Sequence, residues 1–419
     1  MRIEQAQKEY DLVVVGGGMV GASFACAIDK AINQERNDKV DDRKLSILVV
    51  EAIPPNSDAS HQVSFDARST ALSFGSSKIF ERMGLWEPLA EVVSAIKEIH
   101  VSDRGRFGST HLTHAEHNVD ALGYVVENKA LGVVLNSTLE ISSTIHFLAP
   151  ASISAIEPRQ SGMALQIDSG GENFKVDAGL VVLADGGKSP ICSQLGIEKS
   201  VEPYKQHALI ANVAFEKPHN NVAYERFTDT GPLAVLPLEP IDNMHRGSLV
   251  WTLTEQQSPE FSELNEVELL VRLQERFGNR LGKFQHIGGR FVYPLSLSLA
   301  REQIRPGLVL LGNVAHTIHP VAGQGLNLAL RDTEVLVGIL RQAFLADKTL
   351  GDMSVLQEYL QQQETDQSQT VTFTHYMTQL FSSNSSTKAW FRKFGLFSID
   401  LVPSLRRSLA ERAMGLTGK

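Results

Sequence analysis

The chain has 419 residues, which is enough for two domains that each bury a core. Hydrophobic residues make up 42% and charged residues 21%, as in ordinary globular proteins. A formal net charge of −9 argues against nucleic acid as a partner. Two cysteines, Cys26 and Cys192, exclude a disulfide framework and a cysteine-based metal cluster, and they indicate a reducing compartment.

The beginning of the chain carries no apolar stretch of the kind found in signal peptides, and no window approaches eighteen consecutive apolar residues. We therefore expect a cytoplasmic protein without a membrane-spanning helix. Contact with a membrane surface stays open.

The first predicted elements form the β-α-β opening of a doubly wound fold. A buried strand over 12–15 leads through a glycine-rich turn into a helix over about 22–31. A polar loop follows, and a second strand over 45–50 ends at Glu51.

The turn between these elements reads Gly16-x-Gly18-x-x-Gly21. The first glycine allows a tight turn, the second lets the backbone approach a pyrophosphate, and the third lets the helix pack on the strand. The helix N-terminus attracts phosphate, and Glu51 can accept hydrogen bonds from ribose hydroxyls. Because strand, helix, second strand and acid are all in place, a nucleotide site is favoured over a turn without a ligand.

The next elements alternate between helical and strand patterns. Apolar residues at helical spacing predict a helix over about 73–97. Strand patterns dominate from 99 to 174 around a helix near 129–138, and residues 205–295 alternate like antiparallel strands around a helix at 263–277. Two further buried strands, 180–184 and 308–311, each end at a glycine-containing turn.

The turn after the strand at 180–184 contains Asp185 and Gly186. An aspartate where a strand ends could hold ribose or ribityl hydroxyls. Taken alone, an ordinary Asp-Gly turn is the favoured reading, so this motif counts only together with the others.

A second glycine-rich loop spans 311–327, with the sequence LGNVAHTIHPVAGQGLN. Gly312 and Asn313 follow a buried strand, where Asn313 could bind a polyol chain. His316 and His319 have a spacing that a metal site allows, but no cysteine or carboxylate cluster completes the set, so we predict no metal.

The same loop ends in Gly323-Gln324-Gly325, which opens a helix near Leu326. Backbone N–H groups there suit the N1–C2=O edge of an isoalloxazine, which becomes negative on reduction. Pro320 stiffens the loop. The candidate residues beside a flavin ring are therefore Pro320, Gly323, Gln324 and Gly325, and the candidate cofactor-binding residues of the loop are Gly312, Asn313, Gly323, Gly325 and Asn327.

Three motifs in this order resemble the FAD-dependent aromatic hydroxylases of the para-hydroxybenzoate hydroxylase type, the class A flavin monooxygenases. Within that class, 66–72 (DARSTAL), 123–128 (GYVVEN) and 293–295 (YPL) are similar to the ubiquinone-biosynthesis hydroxylases. The stretches 207–216 and 224–238 are most similar to the branch that hydroxylates 2-polyprenyl-6-methoxyphenols. The likeness covers nearly the whole chain.

The resemblance implies an α/β fold: a Rossmann-type FAD domain, an inserted antiparallel β-sheet substrate domain and C-terminal helices. The FAD domain would comprise 8–75, 120–195 and 296–345. The substrate domain would comprise 76–119 and 196–295, and the helical region 346–419.

The family also implies roles for individual residues. Gly16, Gly18 and Gly21 would bind the pyrophosphate of FAD, and Glu51 the adenosine ribose. Arg68 would approach the pyrophosphate or NAD(P)H, and Asn128 the ribityl chain; a surface or capping role for Arg68 is equally compatible with the sequence. Asp185 and Gly186 would belong to a motif that serves FAD and NAD(P)H.

Two positions depart from the family pattern. Asn313 stands where the family usually has aspartate, which preserves hydrogen bonding but removes a charge. Cys192 stands where an arginine is usual, which weakens an argument for NAD(P)H docking there. Similar departures occur in the methoxyphenol branch.

The implied activity is hydroxylation of a polyprenylated methoxyphenol in ubiquinone biosynthesis, with NAD(P)H and O₂, through a C4a-hydroperoxyflavin. Tyr224, His207 and Tyr293 are unranked candidates for activating the phenol. Alternatives are a sister hydroxylase acting at another ring position, a flavin-dependent prenyl-lipid reductase, and a non-catalytic quinoid-binding subunit.

The C-terminal stretch 388–419 carries seven basic and two acidic residues, with apolar residues at helical steps. A terminal helix pair packed on the body is favoured over a membrane- or partner-binding element. Peripheral membrane contact, association with other ubiquinone-biosynthesis proteins and oligomerisation stay open.

Overall fold

The computed structural model describes residues 8–34, 43–54, 68–103, 109–187, 189–320, 323–381, 411 and 414–416. Most of the stretch 388–419, whose binding role the sequence left open, lies outside these residues. No helix in the described ranges is both long and apolar enough to cross a membrane.

The described strands are numbered along the chain. They are β1 (Glu9–Val15), β2 (Ile47–Val50), β3 (Ser69–Ser73), β4 (Val93–Ile96), β5 (Glu98–Asp103), β6 (Ser109–Thr113), β7 (Gly123–Glu127), β8 (Ile145–Leu148), β9 (Ser152–Arg159), β10 (Gly162–Ser169), β11 (Glu172–Leu183), β12 (Lys199–Phe215), β13 (Val222–Thr228), β14 (Gly231–Ile241), β15 (Met244–Thr254), β16 (Phe284–Ile287), β17 (Phe291–Ala300), β18 (Ile304–Arg305), β19 (Leu308–Leu310) and β20 (His316–Thr317).

The described α-helices are α1 (Met19–Asp29), α2 (Phe74–Arg82), α3 (Trp86–Ala90), α4 (Asn128–Ile141), α5 (Ile191–Gln194), α6 (Ser258–Glu263), α7 (Glu266–Phe277), α8 (Gln324–Leu345) and α9 (Met353–Phe381). A π-helical turn at Lys30–Gln34 extends α1, and 3₁₀ turns lie at His114–His117 and Gly312–Val314.

The first sheet has the order β18-β19-β11-β1-β2-β8, with β10 and β9 attached beside β11. Its central strands, from β19 to β8, are parallel. Their near-continuous runs of Val, Leu and Ile fit a sheet that is covered on both faces. Helices α1, α4 and α8 pack together on one face, so the predicted doubly wound core is present.

The second sheet has the order β20-β17-β12-β15-β14-β13-β5-β6, with β16 also paired to β12. Most of its pairs are antiparallel, and β13 pairs with β5 in parallel. One face buries a cluster against α7, including Leu209, Trp251 and Leu269. The opposite face looks into a cavity.

A small third sheet, β3-β7-β4, connects the other two. Arg246 on β15 donates two hydrogen bonds to the carboxylate of Glu127 at the end of β7, at 3.1 and 3.3 Å. Asn212 on β12 donates to the same carboxylate at 3.2 Å. The domain limits drawn from the sequence remain a proposal, which these separate sheets support.

One prediction of secondary structure is wrong. The helix expected over 73–97 ends at Arg82, resumes briefly as α3, and gives way to β4 at Val93. Gly84 has φ +71°, a left-handed conformation that stops α2. The apolar spacing continues past this point because β4 also buries Ile96, so the pattern alone hid the change of element.

Candidate functional site

The carboxyl ends of β1, β2, β11 and β19 meet at one edge of the first sheet. Because these strands are parallel and adjacent, the turns that follow them converge although they lie far apart in sequence. The predicted residues Gly16, Glu51, Asp185 and Gly312 are therefore brought together at this edge.

The first glycine-rich turn has the close packing that its sequence predicts. Gly16 has φ +100°, and a Cβ there would lie 2.7 Å from the carbonyl oxygen of Ala184. A Cβ on Gly21 would lie 1.9 Å from the carbonyl oxygen of Gly16, so only glycine lets α1 approach this turn. Gly18 is the N-cap of α1, and no side chain caps the free backbone N–H groups of this helix end by a hydrogen bond from the N-cap position. The helix N-terminus is thereby open to an anion.

Glu51 directly follows β2, and its carboxylate accepts hydrogen bonds from the backbone N–H groups of Gly17 at 2.6 Å and Ile53 at 2.9 Å. These bonds fix the carboxylate beside the turn and leave lone pairs for further donors. Asp185 accepts from the N–H of Gly187 at 2.8 Å and from Ser189, so it closes its own turn. Gly186 has φ +71° and open space where a Cβ would be.

The second glycine-rich loop packs against α1 and opens toward the cavity. Gly312 has φ +73°, and a Cβ there would lie 3.1 Å from Val20 of α1. Gly323, with φ +61°, is the N-cap of α8. A Cβ on Gly325 would meet nothing within 4 Å, so this turn of the helix leaves room for a flat group against its backbone.

Of the other residues predicted for this loop, some line the cavity and one does not. Asn313 and Pro320 line the cavity, and Asn313 is exposed. Gln324 is buried and does not line it. The side chain of Asn327 accepts from Ser73 N–H at 2.8 Å and donates to the carbonyl oxygen of Ala71 at 2.9 Å, so it ties α8 to β3.

A buried pair holds the loop from behind. Nε2 of His316 donates to Oδ2 of Asp332 at 2.6 Å, and both side chains are almost fully buried. Gln367 of α9 donates to the other carboxylate oxygen at 3.0 Å. The pair thus joins β20, α8 and α9. Among the residues that the structure describes, no group of three or more His, Cys, Asp or Glu side chains could hold a metal.

Asn128 and Arg68 lie across the cavity from the glycine turns. The side-chain oxygen of Asn128, the first residue of α4, accepts from Thr70 at 2.7 Å. The guanidinium of Arg68 lies over the ring of Tyr293, 4.8 Å from its centroid. Arg68 is the one cation in the described cavity lining, and its charge rests against β17 of the second sheet.

A single continuous cavity of about 1090 Å³ connects these features. At one end its walls are the backbone of Gly16–Gly18, Glu51 and the turn at Asp185. At the other end they are the inner face of the second sheet together with β5 and β6. The apolar residues of this second part, called the apolar lobe below, include Ile99, Val101, Leu112, Leu122, Ile210, Ala223, Phe227, Ala234, Leu236 and Val250.

The three residues considered for phenol activation are not equivalent. The ring of Tyr224 packs against Phe277, with centroids 5.6 Å apart, and Tyr224 also contributes to the cavity lining. His207 pairs with Leu253 in the sheet register and does not line the cavity. Tyr293 lines the cavity beneath Arg68.

Glu225 also lines the cavity and is not among the residues predicted from the sequence. The alternation of β13 could have identified it, because Ala223 and Phe227, two positions away on either side, are apolar. A glutamate between two apolar residues of a strand at i ± 2 shares their face.

These features fit FAD on structural grounds. The open N-terminus of α1 suits a pyrophosphate, Glu51 suits a ribose, and the unobstructed backbone at Gly325 suits a flat ring. The cavity is also long enough to continue past such a ring into the apolar lobe.

Comparison with known proteins agrees with this reading. A family model described as "FAD binding domain" matches residues 9–374. The chain is 31% identical to ubiquinone hydroxylase UbiL of Rhodospirillum rubrum, covering 98% of this chain and 90% of that protein. It is 28% identical to 3-demethoxyubiquinol 3-hydroxylase of Escherichia coli, covering 97% and 98%.

Among solved structures, p-nitrophenol 4-monooxygenase PnpA of Pseudomonas putida superimposes with a TM-score of 0.78 at 16% identity, covering 99% of this chain and all of that one. This likeness establishes the fold, which is the para-hydroxybenzoate hydroxylase-like fold expected from the sequence. The chain belongs to the FAD-binding domain family and is an FAD-dependent monooxygenase.

Proposed function

We propose that this protein hydroxylates the aromatic ring of a polyprenylated phenol in ubiquinone biosynthesis, with NAD(P)H as reductant and O₂ as oxygen source. The observation that carries the proposal is the continuous cavity, which joins a nucleotide-type turn to a lobe with apolar walls. Such a lobe suits a ring that bears an isoprenoid tail. The similarity to UbiL, a ubiquinone hydroxylase, and to the E. coli 3-demethoxyubiquinol 3-hydroxylase supports the pathway.

The residues of the chain supply binding, orientation and exclusion of water. The N-terminus of α1 would hold the pyrophosphate, Glu51 the ribose, and the backbone at Gly323 and Gly325 the ring. When bound, FAD supplies the redox and oxygen chemistry that amino acid side chains lack. The apolar lobe then shields the reacting ring from water. This shielding limits the unproductive release of hydrogen peroxide.

NAD(P)H is part of the proposal because the flavin must be reduced. The sequence holds one Gly-x-Gly-x-x-Gly turn of the dinucleotide type after a predicted strand, so the nicotinamide cofactor would dock transiently. Arg68, at the boundary between the glycine turns and the second sheet, is a candidate contact for it.

The ring position is the finer part of the proposal. A methoxyphenol substrate is our assignment from the sequence, and the E. coli relative points to a demethoxyubiquinol as the alternative. The two substrates differ in ring substituents and share the prenyl tail, so the apolar lobe suits either one.

Deletion of the gene, followed by mass spectrometry of the lipid extract, tests the function. Accumulation of a polyprenyl-methoxyphenol with loss of ubiquinone supports the assignment, and accumulation of a demethoxyubiquinol moves it to the sister position. Restoration by the wild-type gene is the control. Unchanged ubiquinone in a strain without a second hydroxylase for the step would contradict the pathway.

Oxygen consumption separates the remaining alternatives. Uptake coupled to a hydroxylated product contradicts a prenyl-lipid reductase. Retained FAD without turnover of any prenylated phenol would instead favour a non-catalytic quinoid-binding subunit.

A further inference from the structure

Glu225 lies in the middle of an otherwise apolar wall. It forms a row across the second sheet, in which neighbouring strands place Val250, Ala234, Glu225, Val101 and Thr110 side by side. All five line the cavity. A carboxyl at the centre of an apolar binding surface has no evident structural purpose, because it costs free energy to bury it.

Among the residues that the structure describes, none contributes a charge that compensates the carboxyl of Glu225. The other titratable side chains of the described cavity lining are Glu51, Arg68, Asp185, Tyr224 and Tyr293. Glu51 and Asp185 accept hydrogen bonds at the glycine turns, and Arg68 rests on Tyr293. The strands that flank Glu225 present Ala234 and Val101 to it.

Burial of Glu225 raises the pKa of its carboxyl to about 7, and no neighbouring charge contributes. Within the described residues, no side chain donates a hydrogen bond to this carboxyl. A carboxylate with this pKa is a stronger base than an ordinary glutamate. The difference between its pKa and that of a phenol is therefore smaller, which makes proton transfer from the phenol less unfavourable.

A second polar group in the same row also lacks a partner. The hydroxyl of Thr110, which is 2% exposed, finds no hydrogen-bond partner among the described residues. One strand separates it from Glu225, so their backbones are roughly 10 Å apart. A ring with two oxygen substituents would satisfy both groups, and such a ring is the substrate class of the proposed function.

We propose that Glu225 is the base that accepts the proton of the phenolic hydroxyl of the substrate. This inference rests on the proposed function. The O–H bond of the phenol breaks, the proton goes to the carboxylate of Glu225, and the electron pair stays on the phenolate oxygen. The phenolate donates electron density to the ring carbon that takes up oxygen. When the hydroxylated ring loses its C–H proton to solvent, Glu225 returns its proton to the phenolate oxygen.

The variants Glu225→Gln and Glu225→Asp test this assignment in the FAD-loaded enzyme, with 2-geranyl-6-methoxyphenol as the probe. We expect Glu225→Gln to lower kcat at pH 8 about 100-fold, with KM changed less than about threefold. The rise of kcat/KM through pH 7 should vanish in this variant. Glu225→Asp should keep part of the activity and the rise.

Binding of the probe to the oxidised enzyme gives a readout that does not depend on turnover. The affinity of the wild type for the probe should rise as the pH passes through 7, because the ionised carboxylate accepts a stronger hydrogen bond from the phenolic O–H than a neutral group does, and the affinity of Glu225→Gln should not change with pH. Glu255→Gln is a matched control, because Glu255 is exposed outside the cavity and the charge change is the same. It should behave as wild type.

Retention of FAD by Glu225→Gln shows that the variant is folded. A wild-type pH profile of kcat/KM and of probe affinity in Glu225→Gln would overturn the role of Glu225 and leave the proposed function intact. Failure of the wild-type enzyme to bind or hydroxylate any prenylated phenol would overturn both.

Discussion

At the scale of single residues, Glu225 gives the protein without cofactor a pH-dependent stability of unusual sign. Its folded-state pKa is about 7, above the ordinary value of 4.5. The folded state therefore binds its proton more tightly, and this residue lowers the free energy of unfolding as pH rises from about 4.5 to 7. Paired carboxylates, whose pKa values are depressed, act in the opposite direction.

Glu225→Gln should consequently stabilise the protein without cofactor at pH 8 and leave its stability near pH 4.5 unchanged. The full shift corresponds to about 3 kcal/mol, and water that enters the cavity reduces the effect below that. Denaturant unfolding at the two pH values measures it. Glu255→Gln should show no such difference, and a Glu225→Gln variant less stable than wild type at pH 8 would contradict the argument.

Stabilisation on removal of a site residue is expected where function requires a buried, unpaired group. Glu225 is not among the residues predicted from the sequence, which include the aromatic Tyr224 beside it. The ring of Tyr224 packs on Phe277, whereas Glu225 shares a face of β13 with Ala223 and Phe227 of the cavity wall. Which face of β13 meets the cavity depends on contacts distant in sequence, so the motif alone could not reveal it.

Gly325 allows a residue-scale test of where the cofactor lies. An added methyl group meets nothing within 4 Å, so Gly325→Ala should fold normally without cofactor. If a flavin ring lies against this backbone, the methyl group should weaken FAD binding about tenfold or more. Fluorescence titration of the apoprotein with FAD measures the change.

Gly338→Ala is the matched control, because Gly338 lies in the same helix and is also unobstructed. It should leave FAD affinity unchanged and raise stability by roughly 0.5–1 kcal/mol through helix propensity. Equal FAD affinity in both variants would argue against a ring at Gly325.

At the scale of elements, the buried pair His316–Asp332 holds the second glycine-rich loop to α8 and α9. Asp332→Ala removes the acceptor for His316 and Gln367 together. Loss of one partner of a buried pair typically costs about 3–5 kcal/mol. We expect a loss of that order in the free energy of unfolding, measured by denaturant titration, together with reduced FAD retention.

Glu334→Ala supplies the comparison, since Glu334 lies on the same helix and pairs with Arg82 at the surface. A surface pair contributes roughly 1 kcal/mol or less. An equal loss in the free energy of unfolding for the two substitutions would show that the buried pair stabilises the fold no more than the surface pair does.

The elements also show what sequence could and could not predict. The β-α-β opening and both glycine-rich turns follow from local rules, because strand runs, glycine geometry and helix N-termini act over a few residues. The false helix over 73–97 shows the limit. Ile96 keeps helical spacing with Leu89 and Val92, but it is buried on a strand that pairs with β7.

The hydrogen bonds of single polar side chains likewise depend on the folded structure. Asn327 is predicted to bind the cofactor, and its amide also bridges Ser73 and Ala71. Asp185 closes its own turn, as the ordinary Asp-Gly reading anticipated. Both residues still line the cavity, so a cofactor role for them stays a proposal that the Gly325 titration does not decide.

At the scale of the whole molecule, the cavity spans two sheets that separate stretches of the chain build. The first sheet supplies the glycine turns, and the second supplies the apolar lobe. Met414, near the end of the chain, is buried against Leu112 and Leu122 at the lobe. Its carbonyl oxygen accepts a hydrogen bond from the N–H of Gly75 at 2.7 Å.

If the two ends of the cavity bind different molecules, substitutions should separate their affinities. Ala234 lines the lobe beside Glu225 and is partly exposed, so Ala234→Phe should fill the space meant for the substrate. We expect the KM for a prenylated phenol to rise at least tenfold while FAD affinity stays at the wild-type value. Gly325→Ala should have the reverse pattern, weakening FAD and leaving the lobe intact. Steady-state kinetics at saturating FAD and FAD titration measure the two effects. Loss of FAD in Ala234→Phe would mean that the lobe, and not only the glycine turns, holds the cofactor, and the assignment of the two ends would fail.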